Sequence, residues 1–297
     1  MKADPAALLR SLDPASRVYP ASVFPVGDAT LAIVRAKGRK LLGAAAACAD
    51  AIDRGLEGEL HTAAGGALKL CPLTHANALA LRRLLPWTAP VSLRERQTTV
   101  GCGDRLGRAT PGHIRAARRY PVAPVLAQQS IRELTLTGRT YENVVDDVTF
   151  LVLQEGYTQG YGADGDHLKT LADINVAVDA GMAMITLDLN EKINGAAEKW
   201  SAAEVETAFA ALPANVRDRI VGSYAGRTFE LGGESVLIEP LEAQRCAVMY
   251  LAAMDFSREV HDLLRSRRGN AFDLEISIDE TVRSEERRVG KECRSRW

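Results

Sequence analysis

Five short apolar runs that end in glycine or polar residues constrain the fold of this chain more than any other feature. The runs are TTVGCGDRLG, APVLAQQS, GYGADGDHLK, MAMITLDLN and AFDLEISIDE, and they lie between residues 98 and 280. Helical signals separate them, and strands that alternate with helices form parallel sheets. We therefore expect an α/β fold, which is either a (β/α)8 barrel or an open doubly wound sheet.

Capping patterns and apolar spacing place helices between these runs. Thr170 and Asp173 resemble a capping box that opens LADINVAVDA, and Ser201 and Glu204 form a second one. A longer helix is expected over 241–266, where apolar residues recur at three- and four-residue steps. Several polar residues come at the predicted carboxyl ends of these strands, which is the edge at which both folds carry their active sites. They are Asp104, Gln128, Gln129, Asp166, His167 and Asp188.

The two ends of the chain differ from this middle part. Residues 1–95 lack strand–helix alternation, and we interpret them as an N-terminal cap subdomain with a short hairpin in SVFPVGDATLAIVRA and a helix in HANALALRRLL. The catalytic domain is expected over 96–282. Residues 283–297, RSEERRVGKECRSRW, hold six Arg or Lys and three Asp or Glu, with no helix or strand period. They resemble the translation of a sequencing adapter and are interpreted as a foreign tail.

Composition excludes several classes of protein. The formal net charge is −1, which gives no reason to expect a nucleic-acid partner. No apolar run approaches the roughly 18 residues of a membrane span, and the start, MKADPAALLR, lacks the apolar segment of a signal peptide, so a cytoplasmic location is expected. Five scattered cysteines without a CxxC pair favour buried thiols over disulfides or a zinc knuckle.

The stretch GYGADGDHLKT, residues 160–170, is the first candidate for chemistry. In a strand, Asp164 and Asp166 project to one side and His167 to the other, and a bulge or turn at Gly165 would bring all three to one rim. Histidine is a common metal ligand, and a neighbouring carboxylate can act as a base. The alternative is that Asp164 caps the next turn and that His167 is a packed, hydrogen-bonded residue.

Two further stretches carry candidate site residues. GCGDRLGRATPGHIRA, from residue 101, places Arg105, His113 and a helix N-terminus where an anion such as a carboxylate could bind, although a solvated surface loop fits as well. Its glycines read GxGxxxG, which argues against a nicotinamide-dependent oxidoreductase. In DLEIS, Asp273 and Glu275 share a strand face. Inward carboxylates are costly unless they are paired or metal-bound, and the alternative is a wet edge strand.

The chain resembles the tagaturonate (tagaturonate–fructuronate) epimerase family. The motifs that carry the resemblance are GDRLGRATPGHIRA, PVLAQQSIREL, GYGADGDHLKT and MITLDLN, and with DLEISIDET the likeness covers about 97–282, while the N-terminal third matches loosely. Members of the family are appreciably longer, and their further part includes histidines that look like metal ligands. The resemblance therefore implies a C-terminally truncated chain and an incomplete (β/α)8, TIM-like barrel with about five strands.

It also implies a divalent-metal-dependent isomerase that interconverts the sugar acids D-tagaturonate and D-fructuronate. We assign hypothetical roles by position: His167 is a metal ligand, Asp166 the proton acceptor, Glu275 the proton donor, Arg105 and His113 hold the substrate carboxylate, and Lys169 and Asp188 lie near its hydroxyls. The inverted carbinol is β to the ketone, so retro-aldol cleavage and re-addition is our mechanistic hypothesis. The alternatives are another metal-dependent sugar aldolase or isomerase, and a catalytically inert fragment.

Overall fold

The computed structural model describes residues 4–53, 55–63 and 65–278. The chain divides into two compact units. The first runs to Thr186 and includes Arg268–Glu275, and the second is Leu187–Arg267 with residues from Ile276 on. The predicted foreign tail at 283–297 lies outside the described residues.

The first unit begins with an antiparallel sheet. Its elements in chain order are α1 (Pro5–Leu12), β1 (Arg17–Val18), β2 (Phe24–Val26), β3 (Ala29–Ala36), β4 (Arg39–Ala46), β5 (Glu59–Ala63), β6 (Gly66–Cys71) and α2 (His75–Leu84). The strand order is β1-β3-β4-β6-β5, and β2 also pairs with β3. The expected hairpin is thus the β2–β3 pair of a larger sheet, and the expected helix is α2, whose first turn is capped by Thr74.

The centre of this sheet is buried on both faces. On one face, Leu31 and Ile33 of β3 pack in a core that also contains Phe150. On the other face, Val34 packs with Leu9 of α1. Because neither face of β3 is wet, its sequence shows no polar–apolar alternation.

A second sheet follows, most of it in the first unit, with helices between its strands. The elements are β7 (Thr99–Gly101), α3 (Thr110–Ala117), β8 (Ala123–Ser130), α4 (Ile131–Thr137), α5 (Tyr141–Glu155), β9 (Gly162–Leu168), α6 (Leu171–Asp179) and β10 (Met184–Asp188). Thr170 caps α6 as expected, since its hydroxyl accepts the Asp173 N–H.

The second unit is mainly helical. It contains α7 (Ala202–Ala210), α8 (Ala214–Ser223), the antiparallel hairpin of β11 (Arg227–Leu231) and β12 (Glu234–Ile238), and the long helix α9 (Pro240–Arg268). The Ser201–Glu204 capping box opens α7, and α9 covers the predicted 241–266 helix. Among the described residues, we find no helix that combines the length and apolar character needed to cross a membrane.

The last described strand, β13 (Asp273–Ser277), completes the second sheet, whose order is β13-β10-β9-β8-β7. The β7–β8 and β8–β9 pairs are parallel. Each strand lies beside the one that precedes it in this sheet. A doubly wound sheet instead reverses direction at a switch point. The described strands therefore form a singly wound, five-stranded α/β sheet, and the open doubly wound alternative does not apply to them.

Candidate active site

The centre of the candidate site is a buried carboxylate on β9. Asp164 is only 1% exposed. The sequence places it in the candidate stretch 160–170, but it was given no catalytic or binding role. The Thr186 hydroxyl oxygen lies 3.1 Å from each of the two carboxylate oxygens of Asp164 and donates its one proton between them, and Oδ2 also lies 3.4 Å from the Gln128 amide nitrogen. Three adjacent strands thus each contribute one polar side chain to a single hydrogen-bonded row.

A bulge in β8 sets this row in register. The pairing with β9 shifts between Val125 and Ala127, after which Gln128 lies opposite Asp164. Gly101 on β7 extends the row, because a Cβ at that position would approach Gln128 Oε1 to 2.5 Å. The small residue on β7 therefore leaves the space in which the Gln128 amide sits.

Charge repulsion and burial act together on Asp164. The pKa of Asp164 is raised to about 7, chiefly by burial and then by the nearby carboxylates of Asp166 and Glu275, while the Thr186 hydrogen bond and His167 oppose the shift. Like charges that share a site hinder each other's ionisation. Asp166, Glu275 and His167 thus all act electrostatically on Asp164.

Asp166 and His167 form a direct pair at the end of β9. His167 Nδ1 lies 2.8 Å from Asp166 Oδ1, and the two side chains are 48% and 22% exposed. His167 has φ +57°, the left-handed region that side chains with a Cβ adopt at a cost of roughly 1–2 kcal/mol. The change of backbone direction that was expected at Gly165 therefore lies at His167. Gly165 is closely packed instead, because a Cβ added there would come 3.0 Å from the Cβ of Ala177.

The loop after β7 is held mainly by structural hydrogen bonds. Asp104 is buried and accepts the N–H groups of Arg108 and Thr110 and the Thr110 hydroxyl, which together lower its pKa although burial opposes the shift. Arg105 is exposed and forms an ion pair with Glu133 in the first turn of α4. His113 lies on α3 with Nδ1 buried and without a hydrogen-bond partner among the described residues.

The remaining predicted residues lie directly after β9, on β10 and on β13. Lys169 follows β9 directly and is half-buried. Asp188 ends β10 and accepts the Asn190 N–H at 3.1 Å. Glu275 is exposed on β13. Asp273, two residues earlier, accepts the Ser92 hydroxyl and the Leu93 and Arg94 N–H groups, so it fixes the loop before β7.

The donor set at the end of β9 suits a divalent cation in part. Where a carboxylate accepts from one ring nitrogen of a histidine, as Asp166 can from His167, the other nitrogen carries the lone pair that binds a metal. Oxygen and imidazole ligands suit several divalent metals. Within the described ranges, however, no three His, Cys, Asp or Glu side chains are arranged to hold a metal ion.

Comparisons with known proteins agree with this architecture. The sequence model of UxaE, tagaturonate epimerase, matches residues 19–287, which includes most of the N-terminal third and passes the predicted start of the foreign tail at 283. The tagaturonate/fructuronate epimerase of Thermotoga maritima is 34% identical over 219 residues, which make up 74% of this chain and 44% of that protein.

Solved structures extend the likeness to three dimensions. The native crystal structure of fructuronate-tagaturonate epimerase UxaE from Cohnella laeviribosi is 39% identical, with a TM-score of 0.82 over 93% of this chain and 56% of that one. Its complex with one glycerol gives 37% identity and a TM-score of 0.82 over 96% and 59% of the two chains. The chain spans about half the length of these relatives. It belongs to the tagaturonate epimerase family.

Proposed function

We propose that this chain takes part in the interconversion of D-tagaturonate and D-fructuronate, as a metal-dependent epimerase. The observation that carries the proposal is the Asp166–His167 pair at the end of β9, two residues beyond the buried carboxylate of Asp164. Membership of the family supports the substrate class, because the Thermotoga maritima relative is a tagaturonate/fructuronate epimerase. We further propose that the singly wound sheet is part of a (β/α)8, TIM-like barrel and that the enzyme works in the cytoplasm.

The chemistry of the substrate favours cleavage and re-formation of a C–C bond. The carbon to be inverted bears a hydroxyl and is β to the ketone, so the carbonyl does not acidify its C–H bond. Removal of the hydroxyl proton instead lets the adjacent C–C bond break, which leaves an aldehyde and an enolate. Rotation of the aldehyde and re-addition of the enolate to its other face returns the proton to the new alkoxide and inverts the centre.

This sequence needs one group that accepts the hydroxyl proton and one that returns a proton. We assign the acceptor to Asp166, which is half-buried beside His167, and the donor to Glu275 on β13. The pKa of the neighbouring Asp164 is raised to about 7, chiefly by burial, so that its carboxyl group can hold a proton near neutral pH. A proton held there suits a reaction that runs in both directions.

His167 is the proposed metal ligand, and Asp166 orients its ring. A divalent cation, when bound, would stabilise the negative charge that develops on the ketone oxygen. The remaining ligands would come from outside the described residues. For the substrate carboxylate we propose His113 and Arg105, where Arg105 must exchange its Glu133 partner for the ligand. Lys169 and Asp188 are proposed for the hydroxyls.

The test is turnover by the 297-residue chain. After treatment with a chelator, the protein is incubated with D-tagaturonate and with each of several divalent metals in D₂O, and products are followed by NMR. We expect D-fructuronate to form only when metal is present, and to carry no deuterium at the inverted carbon. The Asp166→Asn and Glu275→Gln substitutions should abolish its formation. Deuterium at that carbon would overturn the retro-aldol route.

Metal binding measured by calorimetry separates the remaining alternatives. A chain that binds metal through His167 but shows no turnover would be a catalytically inert fragment. That outcome has a structural basis, because the described residues lack a complete ligand set. Turnover of other ketose acids or aldol substrates, but not of D-tagaturonate, would instead indicate another metal-dependent aldolase or isomerase.

A further inference from the structure

A cationic cavity lies beside the antiparallel sheet, among residues that the proposed function does not use. Its volume is about 670 Å³, and it is formed by the end of α1, the loop to β1, the end of β3 and the β3–β4 turn. Arg17, Arg35 and Lys37 line it, and all three are exposed to solvent. A cavity of this size is within the usual range for small-molecule sites.

Two of these cations are forced together by strand pairing. Arg17 on β1 lies directly opposite Arg35 on β3 in the antiparallel register. Directly opposed like charges destabilise a strand pair. Lys40, opposite Arg35 on β4, continues the row, and Arg35 contributes to lowering its pKa, which burial lowers most. An anion between the two guanidinium groups would therefore stabilise the pairing of β1 with β3.

The protein supplies little counter-charge within the cavity. Asp13 is its acidic lining residue, and its two oxygens accept the backbone N–H groups of Ala15 and Lys37, at 3.0 Å each. Asp13 thus fixes the loop and the turn that carry the cations. Among the described residues, the side chains of Arg17 and Arg35 form no ion pair with a carboxylate.

We propose that this cavity binds the phosphate group of a small phosphorylated molecule. Guanidinium groups match the geometry of phosphate oxygens through paired N–H donors, and Lys37 adds a third positive charge. Leu12 and Pro14 supply an apolar wall for the carbon part of such a ligand. The proposal does not depend on the epimerase activity, because none of these residues belongs to the candidate active site.

Isothermal titration of the 297-residue chain with inorganic phosphate and with pyrophosphate tests the proposal. We expect saturable binding that weakens as salt is added. Arg17→Gln and Arg35→Gln should each weaken it by about tenfold or more, since each removes a charge-assisted hydrogen bond. Arg39→Gln is the matched control, because Arg39 is an exposed cation on the neighbouring β4 outside the cavity lining, and it should leave binding unchanged.

Thermal unfolding provides a check that the variants fold. Without phosphate, Arg17→Gln should melt at or above the wild-type temperature, because it relieves the repulsion with Arg35. With phosphate, the wild-type and Arg39→Gln proteins should gain stability, whereas the two cavity variants should not. The absence of saturable binding, or equal binding by the cavity variants, would overturn the proposal. Binding of citrate without binding of either phosphate would overturn the phosphate assignment.

Discussion

The Thr186 hydroxyl lies 3.1 Å from both carboxylate oxygens of Asp164, so that a buried acid on β9 is tied to the adjacent strand β10. A single hydroxyl can donate only one proton, which leaves the carboxylate short of donors if it is charged. With the more distant Gln128 amide as its other partner, Asp164 is costly to ionise. Burial, which the Thr186 contact offsets only in part, therefore makes the site sensitive to protonation.

Asp164→Asn should remove a pH dependence of stability. The pKa of Asp164 is raised to about 7 in the folded state, chiefly by burial and then by Asp166. A raised carboxyl pKa means that the folded state holds the proton more tightly than the unfolded state does. Stability from this group is therefore full below about pH 4 and is lost as the pH rises through about 7, by a total of about 4 kcal/mol.

Urea unfolding between pH 4 and pH 8 measures this effect. The Asn variant keeps the size and hydrogen-bonding capacity of the side chain, so its free energy of unfolding should fall less than that of the wild type as the pH rises. Asp104→Asn is a control of opposite sign when the series is extended to pH 2, because the folded pKa of Asp104 is lowered and its contribution is lost as the pH falls below about 4. Parallel pH profiles for the wild type and Asp164→Asn would contradict the assignment.

Gly101→Ala should disturb the active site more than the fold. The added Cβ would meet the end of the Gln128 side chain, which can move away but must then leave Asp164. Loss of such a supporting hydrogen bond typically lowers activity by about 10–100-fold. Epimerase rates and melting temperatures are compared with those of Gly103→Ala, where the Cβ makes an ordinary 3.4 Å contact. Equal rates for the two variants would show that Gln128 is not part of the working site.

The sequence predicted the second sheet well because each of its strands ends in a recognisable way. Apolar runs that end in glycine or polar residues mark β7, β8 and β9, and the same feature led to Asp166 and His167. Glu275 was proposed because two carboxylates alternate along one strand face. Both patterns involve residues that are close together in the sequence. The folded protein shows the same patterns where the end of a strand is exposed to solvent.

The antiparallel sheet was largely missed for the opposite reason. The buried strand β4, RKLLGAAA, packs on both faces and is rich in alanine, so it shows neither alternation nor β-branched residues. The β11–β12 hairpin did carry a usable signal, since Gly232 and Gly233 form its two-residue turn with positive φ. Asp164 could not be separated from Asp166 by sequence, because its burial depends on Thr186 and Gln128 from other strands.

Gly156→Ala should be among the most destabilising small substitutions in the first unit. Gly156 ends α5 with φ +59°, and an added Cβ would overlap the backbone oxygen of Ala21, which cannot move as a flexible side chain would. Strained φ and overpacking together should cost about 2–4 kcal/mol. Gly138 ends α4 with a similar φ of +64° but has open space around it, so Gly138→Ala should cost only about 1 kcal/mol. Urea unfolding of both variants measures the difference. Equal losses of unfolding free energy would contradict the close packing of the end of α5 on Ala21.

Because His167 has a left-handed backbone, its effect on the stability of the fold can be measured separately from its proposed role as a metal ligand. At φ +57°, glycine is free of the Cβ strain that histidine and alanine share. We therefore expect His167→Gly to be more stable than His167→Ala by about 1 kcal/mol in urea unfolding, which reverses the usual order of these residues within a strand. Both variants lack the imidazole, so both should bind divalent metal more weakly than the wild type in calorimetry. Wild-type metal affinity in either variant would remove His167 from the ligand set, whereas a less stable glycine variant would contradict the left-handed conformation.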